Sequence, residues 1–219
     1  MQSKVIRRIG VIGDVHTEHA RLAAVLERFS ALPLDRIVCT GDLPDGPGSG
    51  ADVDACCALL KAASVLTVCG NHDRWLLDSE HRDLPLATST DDVVQGTLAF
   101  LRSLPQTAEL AVPEGTALLC HGLGTDDMAE VLPFDHGLAL EDNLPLQTLL
   151  AKGRYVCVIN GHSHRAMVRT FSGVTIVNAG TLLSDHGPCC TVLDFVASTA
   201  RFFDVSPDGE VIEGEAEAL

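Results

Sequence analysis

Five short polar clusters in this chain have the make-up of a metal centre. They are Gly13-Asp14-Val15-His16, Gly41-Asp42, Gly70-Asn71-His72-Asp73, Cys120-His121-Gly122 and Gly161-His162-Ser163-His164. Imidazoles and carboxylates with no convergent thiolate motif suit divalent ions of borderline hardness, such as manganese, iron, zinc or nickel. Two residues separated by one, as in Asp14-Val15-His16 and His162-Ser163-His164, can aim both side chains into one cavity from a tight turn. Asp14, His16, Asp42, Asn71, His121, His162 and His164 together exceed the needs of a single ion and suit two ions that share a carboxylate. Two metals about 4 Å apart clamp an in-line displacement at phosphorus and ionise a bridging water near neutral pH. A mononuclear zinc hydrolase needs only about three or four of these residues and leaves the rest without a task.

These clusters need elements to carry them. Arg8–Ile12 reads as a strand, and Glu18–Leu32 as a helix with Leu22, Val25, Leu26 and Phe29 at helical spacing. Arg36–Thr40 and Ser64–Cys69 read as strands on either side of a helix over Ala51–Ala63. This strand–helix alternation implies parallel strands with right-handed crossovers. Each strand runs into a glycine followed by polar residues, and ligands in open α/β sheets sit at the carboxyl ends of the strands. The later chain differs. Helices are expected over Asp91–Leu104 and, despite Pro145, over Leu138–Lys152. Glu109–Val112 and Thr116–Cys120 flank a hairpin signal. Tyr155–Ile159, Ala166–Phe171, Val174–Asn178, Thr191–Val196 and Arg201–Val205 complete the strands. Short turns between late strands imply mixed sheets, and two sheets packed together with helices outside is the simplest architecture. One domain over residues 1–212 is expected, with an acidic, frayed tail over residues 213–219.

Composition limits the function classes. The chain has 219 residues, 46% hydrophobic and 21% charged, enough for a full core without staples. Its 15 basic and 30 acidic residues give a net charge of −15. That leaves little from which to build a basic face for general nucleic-acid binding or for docking on an anionic membrane. No apolar run approaches a membrane span. The opening segment turns apolar but stops at Asp14, short of a signal peptide, so a cytoplasmic protein is expected. Eight cysteines lie mostly inside apolar runs with no CxxC pair, as reduced core residues do.

In this order, GDVH, GD, GNHD, CHG and GHSH resemble the calcineurin-like metallophosphoesterase superfamily. The likeness runs from Gly13 to His164 and extends to the Asn178-Ala179-Gly180 loop. It implies an α/β fold, a four-layer α/β/β/α sandwich of two mixed sheets flanked by helices. It also implies two divalent ions per chain, manganese foremost, with Asp14, His16 and His164 on one, Asn71, His121 and His162 on the other, and Asp42 bridging. His72 would stand by the leaving group, with Asp73 orienting it. The family attacks its esters directly with metal-bound hydroxide. GDLPDGP departs from the GDxxDRG of the phosphoprotein phosphatases, so the small bacterial-type phosphodiesterases are the nearer likeness. Their substrates are small phosphodiesters, phosphomonoesters or nucleotides.

Arg74, directly after GNHD, is a candidate to grip a phosphate oxygen. Asp45, Asp126, Asp127, Glu130 and Asp135 are expected in loops bordering the mouth as a solvated acidic surface, and Asp185 and His186 in a plain turn. The competing class of function is a protein-contact scaffold on the same fold, as in a retromer subunit. Such drift erases metal ligands or the acid histidine, and here every position is filled by a competent residue.

Overall fold

Alternation along the strands sorts the apolar side chains into three cores. The computed structural model describes residues 4–219, so residues 1–3 of the expected domain lie outside the described part. The strands are β1 (Arg8–Ile12), β2 (Arg36–Cys39), β3 (Leu66–Thr67), β4 (Thr107–Val112), β5 (Gly115–Cys120), β6 (Cys157–Asn160), β7 (Met167–Phe171), β8 (Val174–Asn178), β9 (Cys189–Asp194), β10 (Thr199–Val205) and β11 (Val211–Ala218). The helices are α1 (His19–Ser30), α2 (Gly50–Ala62), α3 (Asn71–Asp78), α4 (Gln95–Ser103), α5 (Leu138–Glu141) and α6 (Leu144–Ala151). One sheet runs β11-β10-β9-β1-β2-β3 and the other β4-β5-β6-β8-β7. In the first, β1, β2 and β3 are parallel, and in the second β5, β6 and β8 are. Antiparallel strands complete both.

Ile9, Val11, Leu119 and Ile159 fill the space between the sheets. Ile12 and Cys39 face the other way, onto Leu22, Val25 and Phe29 of α1 and Val53, Cys56 and Leu60 of α2. Leu118, Val158 and Ile176 pack beneath Leu146 and Leu149 of α6. The result is the expected sandwich of two mixed sheets with helices on both outer faces. A parallel bridge between Asp14 and Thr181 joins the loops after β1 and β8, which draws the carboxyl ends of the two parallel cores to one edge.

Several local expectations are corrected. Residues 213–219 do not form a loose tail. β11 pairs with β10 from Val211 opposite Val205 to Ala218 opposite Thr199, and Glu213 meets Arg201 at 3.1 Å and Arg28 at 3.5 Å. Ion pairs and a ladder of backbone hydrogen bonds hold what acidity alone suggested would fray. The helix expected over Leu138–Lys152 breaks in two. Asn143 caps the Leu146 N–H at 3.0 Å, and Pro145 falls in the first turn of α6, where its missing N–H costs nothing. The expected helix from Asp91 is a 3₁₀ turn over Thr90–Asp92 followed by α4, and the strand expected over Ser64–Cys69 pairs only at Leu66–Thr67. All eight thiols are free, and all are buried except half-buried Cys69. Among the described residues no helix is long and apolar enough to cross a membrane.

Candidate metal centre

Backbone geometry at the strand ends turns the candidate ligands inward. His16, Asp42, His162 and His164 all have positive φ, at 46°, 51°, 66° and 57°. Such left-handed conformations cost an L-residue about 1–2 kcal/mol each, so the loops hold these side chains in place against local preference. Space is cleared in the same way. A Cβ on Gly161 would lie 2.1 Å from Asp14 Oδ1, and one on Gly70 would lie 2.1 Å from Asp42 Oδ1.

Asp14, His16, Asp42 and His164 each offer one ligand atom, and all four atoms lie within 4.8 Å of one another. His164 Nε2 is 3.0 Å from His16 Nε2 and 3.2 Å from Asp14 Oδ2. A second group adjoins it. Asn71 Oδ1 is 2.8 Å from His121 Nε2 and 3.0 Å from His162 Nδ1. Asp42 Oδ2 belongs to both groups, 3.2 Å from His121 Nε2 and 3.8 Å from His16 Nε2. The structure thus brings together all seven residues expected as ligands.

Hydrogen bonds behind the rings decide which nitrogens face the centre. His16 Nδ1 donates to the Asp45 carbonyl at 2.7 Å, and His121 Nδ1 donates to the Thr40 carbonyl at 2.8 Å. A carbonyl only accepts, so both rings carry hydrogen on Nδ1, and a neutral ring then presents the Nε2 lone pair inward. Asp42 Oδ1 is taken by the His72 N–H at 2.8 Å and Asp14 Oδ1 by the Thr40 hydroxyl at 3.0 Å. Asp14 Oδ2 is fully buried and accepts no hydrogen bond among the described residues. Carboxylate oxygens, the Asn71 amide oxygen and imidazole nitrogens therefore converge, a donor set that suits a cation. Donors bound at right angles about 2.1 Å from one ion sit about 3 Å apart, close to the separations found here. The residues fit divalent metal.

The electrostatics agree. Burial alone would lower the His121 imidazolium, but the facing Asp42 and Asp14 carboxylates outweigh it and raise its pKa to about 10. Burial lowers His16 and His162. A metal held by His121 Nε2 would take the place of that proton.

His72 stands at the rim, its ring centroid 4.9 Å from that of His16. Its Nδ1 donates to Asp45 Oδ2 at 2.8 Å, which leaves Nε2 as the nitrogen free to exchange a proton. Asp45 is buried, not part of a solvated acidic surface. Arg82 grips it with two bonds of 2.8 Å and the Thr88 N–H adds one of 2.7 Å. Burial opposes the charge on Asp45, but the His72 and Arg82 bonds hold its pKa down to about 2.

Asp73, expected to orient His72, does not touch its ring. It is buried beneath the loops, where its carboxylate accepts the N–H groups of Asp42 at 2.9 Å, Leu43 at 3.0 Å and Gly70 at 2.8 Å. It is a clamp on the Asp42 turn and the start of α3. Burial and then the Asp42 carboxylate push its pKa up to about 7, against these donors.

Arg74 is engaged by two carboxylates. Its guanidinium makes two bonds to Asp127, at 2.7 and 3.1 Å, and one of 2.8 Å to Glu80. Asp126 and Asp135 cap local turns through the Ala129 and Leu132 N–H groups.

Sequence reasoning missed three supports. Asp45 closes the GDLPD run, and comparison with GDxxD was the available signal. His186 stands behind His164, Nδ1 to Nδ1 3.4 Å. Asn178, on the loop already noted, donates to the Gly161 carbonyl and to Ser163 Oγ, which pins the GHSH turn.

The family model described as the calcineurin-like phosphoesterase superfamily domain matches residues 8–197. An uncharacterized protein of Methanocaldococcus jannaschii is 25% identical over 185 residues, spanning 81% of this chain and 71% of its own. A hypothetical protein of Pyrococcus horikoshii has a similar fold, with a TM-score of 0.73 at 14% identity over 93% of this chain and 88% of the other. A metallophosphoesterase from Sphaerobacter thermophilus aligns with a TM-score of 0.65 at 23% identity, covering 92% and 88%.

Proposed function

This chain belongs to the calcineurin-like phosphoesterase superfamily, and we propose that it hydrolyses small phosphoesters, diesters or monoesters, with two divalent ions per chain. Asp14, His16 and His164 would hold one ion, Asn71, His121 and His162 the other, and Asp42 would be shared. Manganese suits this nitrogen and oxygen set, and so do iron, zinc and nickel. Bound there, the ions supply a water acidified to near neutral pH and positive charge for the phosphoryl oxygens.

The remaining chemistry belongs to side chains. An alkoxide leaves poorly unless it is protonated, and His72 Nε2 is the available proton donor. Asp45 holds the ring through Nδ1 and favours its charged form, and Arg82 holds Asp45. Asp73 keeps the Asp42 turn and the Asn71 helix start in register. The Arg74 guanidinium would reach a phosphate oxygen only by giving up Asp127 or Glu80.

The observation that carries this reading is the convergence of acceptors: Asp14 Oδ2 buried without a donor, and Asp42 Oδ2 facing both histidine groups. A protein-contact scaffold is not favoured, because it has no use for such a centre. The test is metal content per chain, followed by turnover of bis-p-nitrophenyl phosphate and p-nitrophenyl phosphate with manganese. Absence of bound metal together with absence of turnover would overturn it.

A further inference from the structure

An imidazole that holds a metal needs a partner behind it, because the hydrogen on its far nitrogen decides which lone pair faces the ion. His16 and His121 use buried main-chain carbonyls for this. His164 does not. Its Nε2 faces His16 and Asp14, and among the described residues its Nδ1 has one partner, Nδ1 of His186 at 3.4 Å, with the two rings edge to face. Two ring nitrogens bond only when one carries hydrogen and the other a lone pair. With Nε2 of His164 presented to an ion, the hydrogen lies on its Nδ1 and donates. His186 then accepts through Nδ1 and keeps its own hydrogen on Nε2.

The turn that carries His186 is strapped to the loops of the centre. Thr181 Oγ1 and the Leu182 N–H both donate to the Asp14 carbonyl at 2.8 Å. The Ser184 N–H donates to Glu18 Oε1 at 3.0 Å, and Arg21 donates to Ser184 Oγ at 2.9 Å. Asn178, at the start of the same stretch, holds the GHSH turn. One segment therefore fixes the Asp14 and His164 loops to each other and ends in a ring set behind His164. His186 itself is exposed and joins none of the three cores, so packing does not account for a histidine there.

We propose that His186 is a positioning residue for one ion: by accepting the His164 Nδ1–H it keeps Nε2 of that ring on the ion shared with Asp14 and His16. The proposal rests on the ligand assignment given under the phosphoesterase reading above. It makes the hold on this ion depend on a side chain open to solvent, whereas His121, on the other ion, leans on buried main chain.

The test reads metal affinity. Metal-free protein is titrated with manganese in competition with a chelator. His186→Ala should weaken one of the two binding steps about 10–100-fold, the usual worth of a hydrogen-bond partner behind a ligand, and leave the other step and Tm unchanged. His186→Asn places an accepting oxygen where Nδ1 stood and should recover most of the loss. His186→Lys can only donate and should not. Cobalt supplies a spectroscopic readout, because the N–H protons of imidazoles bound to it are shifted clear of the remaining proton spectrum. The His164 N–H should be seen in water in the wild type and be lost to exchange in His186→Ala. Unchanged affinity at both steps in His186→Ala, or equal losses in the Asn and Lys variants, overturns the proposal. A wild type that binds two ions and hydrolyses no ester keeps the role of His186 and sinks only the reaction. A wild type that binds no ion overturns both.

Discussion

His72 donates an Nδ1–H hydrogen bond of 2.8 Å to Asp45 Oδ2, although the carboxylate next to it in the chain is Asp73. On a helix, consecutive side chains diverge by about 100°, so neighbours in sequence face different ways. Asp73 points into the protein, and Asp45 reaches His72 from the loop after β2. His72→Ala should retain both metals and the fold while kcat for alkyl leaving groups falls about 10²–10⁴-fold, the usual worth of a general acid. The loss should shrink for p-nitrophenolate, which needs little protonation. Asp45→Asn should show the same leaving-group dependence to a smaller extent. Equal losses for both leaving groups would assign His72 to phosphate positioning.

Asp42 faces both ligand groups, so Asp42→Asn should weaken both ions together. His16→Ala should weaken mainly the ion shared with Asp14 and His164. Elemental analysis of the wild-type protein should find close to two ions per chain, as a paired site requires. One tightly held ion in the wild type is the contrary result.

Gly161→Ala puts a methyl group 2.1 Å from Asp14 Oδ1 and 2.5 Å from Thr40 Oγ1. The Asp14 and Thr40 side chains or the Gly161 backbone must shift. Overpacking of this kind costs about 1–3 kcal/mol, and metal content should drop with it. A variant with wild-type Tm and full metal content would show that the Asp14 loop yields easily.

Two carboxylates, Asp127 and Glu80, already occupy the Arg74 guanidinium. Arg74→Ala should leave KM for small esters within about threefold, since no shared binding energy is lost. Its pairs with Asp127 and Glu80 are partly exposed and therefore weak, so Tm should fall by only about 1–3 °C. A large rise in KM would place the guanidinium on the substrate instead.

Asp35 ties the start of β1 to β2. The Arg7 N–H, Lys4 and the Arg8 N–H hold its pKa down to about 2, below its ordinary value of 3.8. Between these values the folded chain binds fewer protons than the unfolded one, so stability rises with pH there. The contribution is complete above 3.8 and is lost as pH falls through about 2. Asp35→Asn should lower the neutral-pH urea midpoint and flatten its decline over that acid window. An unchanged acid profile would remove Asp35 from the account.

Much of this was legible in the residues. β1 and β8 fall where short apolar runs bounded by glycine place them, because both faces of each strand are buried, Ile9 and Val177 between the sheets and Ile12 and Ile176 beneath the helices. The five ligand-bearing clusters could be read because each follows a strand, and parallel strands deliver their ends to one edge. Partners supplied from far along the chain could not be read. Asp45 is a loop residue until Arg82 folds back onto it, and Arg74 is a free cation until Asp127 arrives from the turn after β5. β11 was hidden for a related reason. Its acidic, small residues have weak strand preference alone, and only Arg201, Arg28 and the edge of β10 give them a place.

The left-handed backbone at His16, Asp42, His162 and His164 has a cellular consequence. Without metal, the folded chain carries this strain and a cluster of facing lone pairs. Any ion that binds the folded state alone stabilises it by mass action. Chains short of metal would then open more often and be degraded sooner, as marginally stable proteins are. Metal supply would set how much of the protein persists as well as how fast each copy works, and scarcity would lower activity twice over.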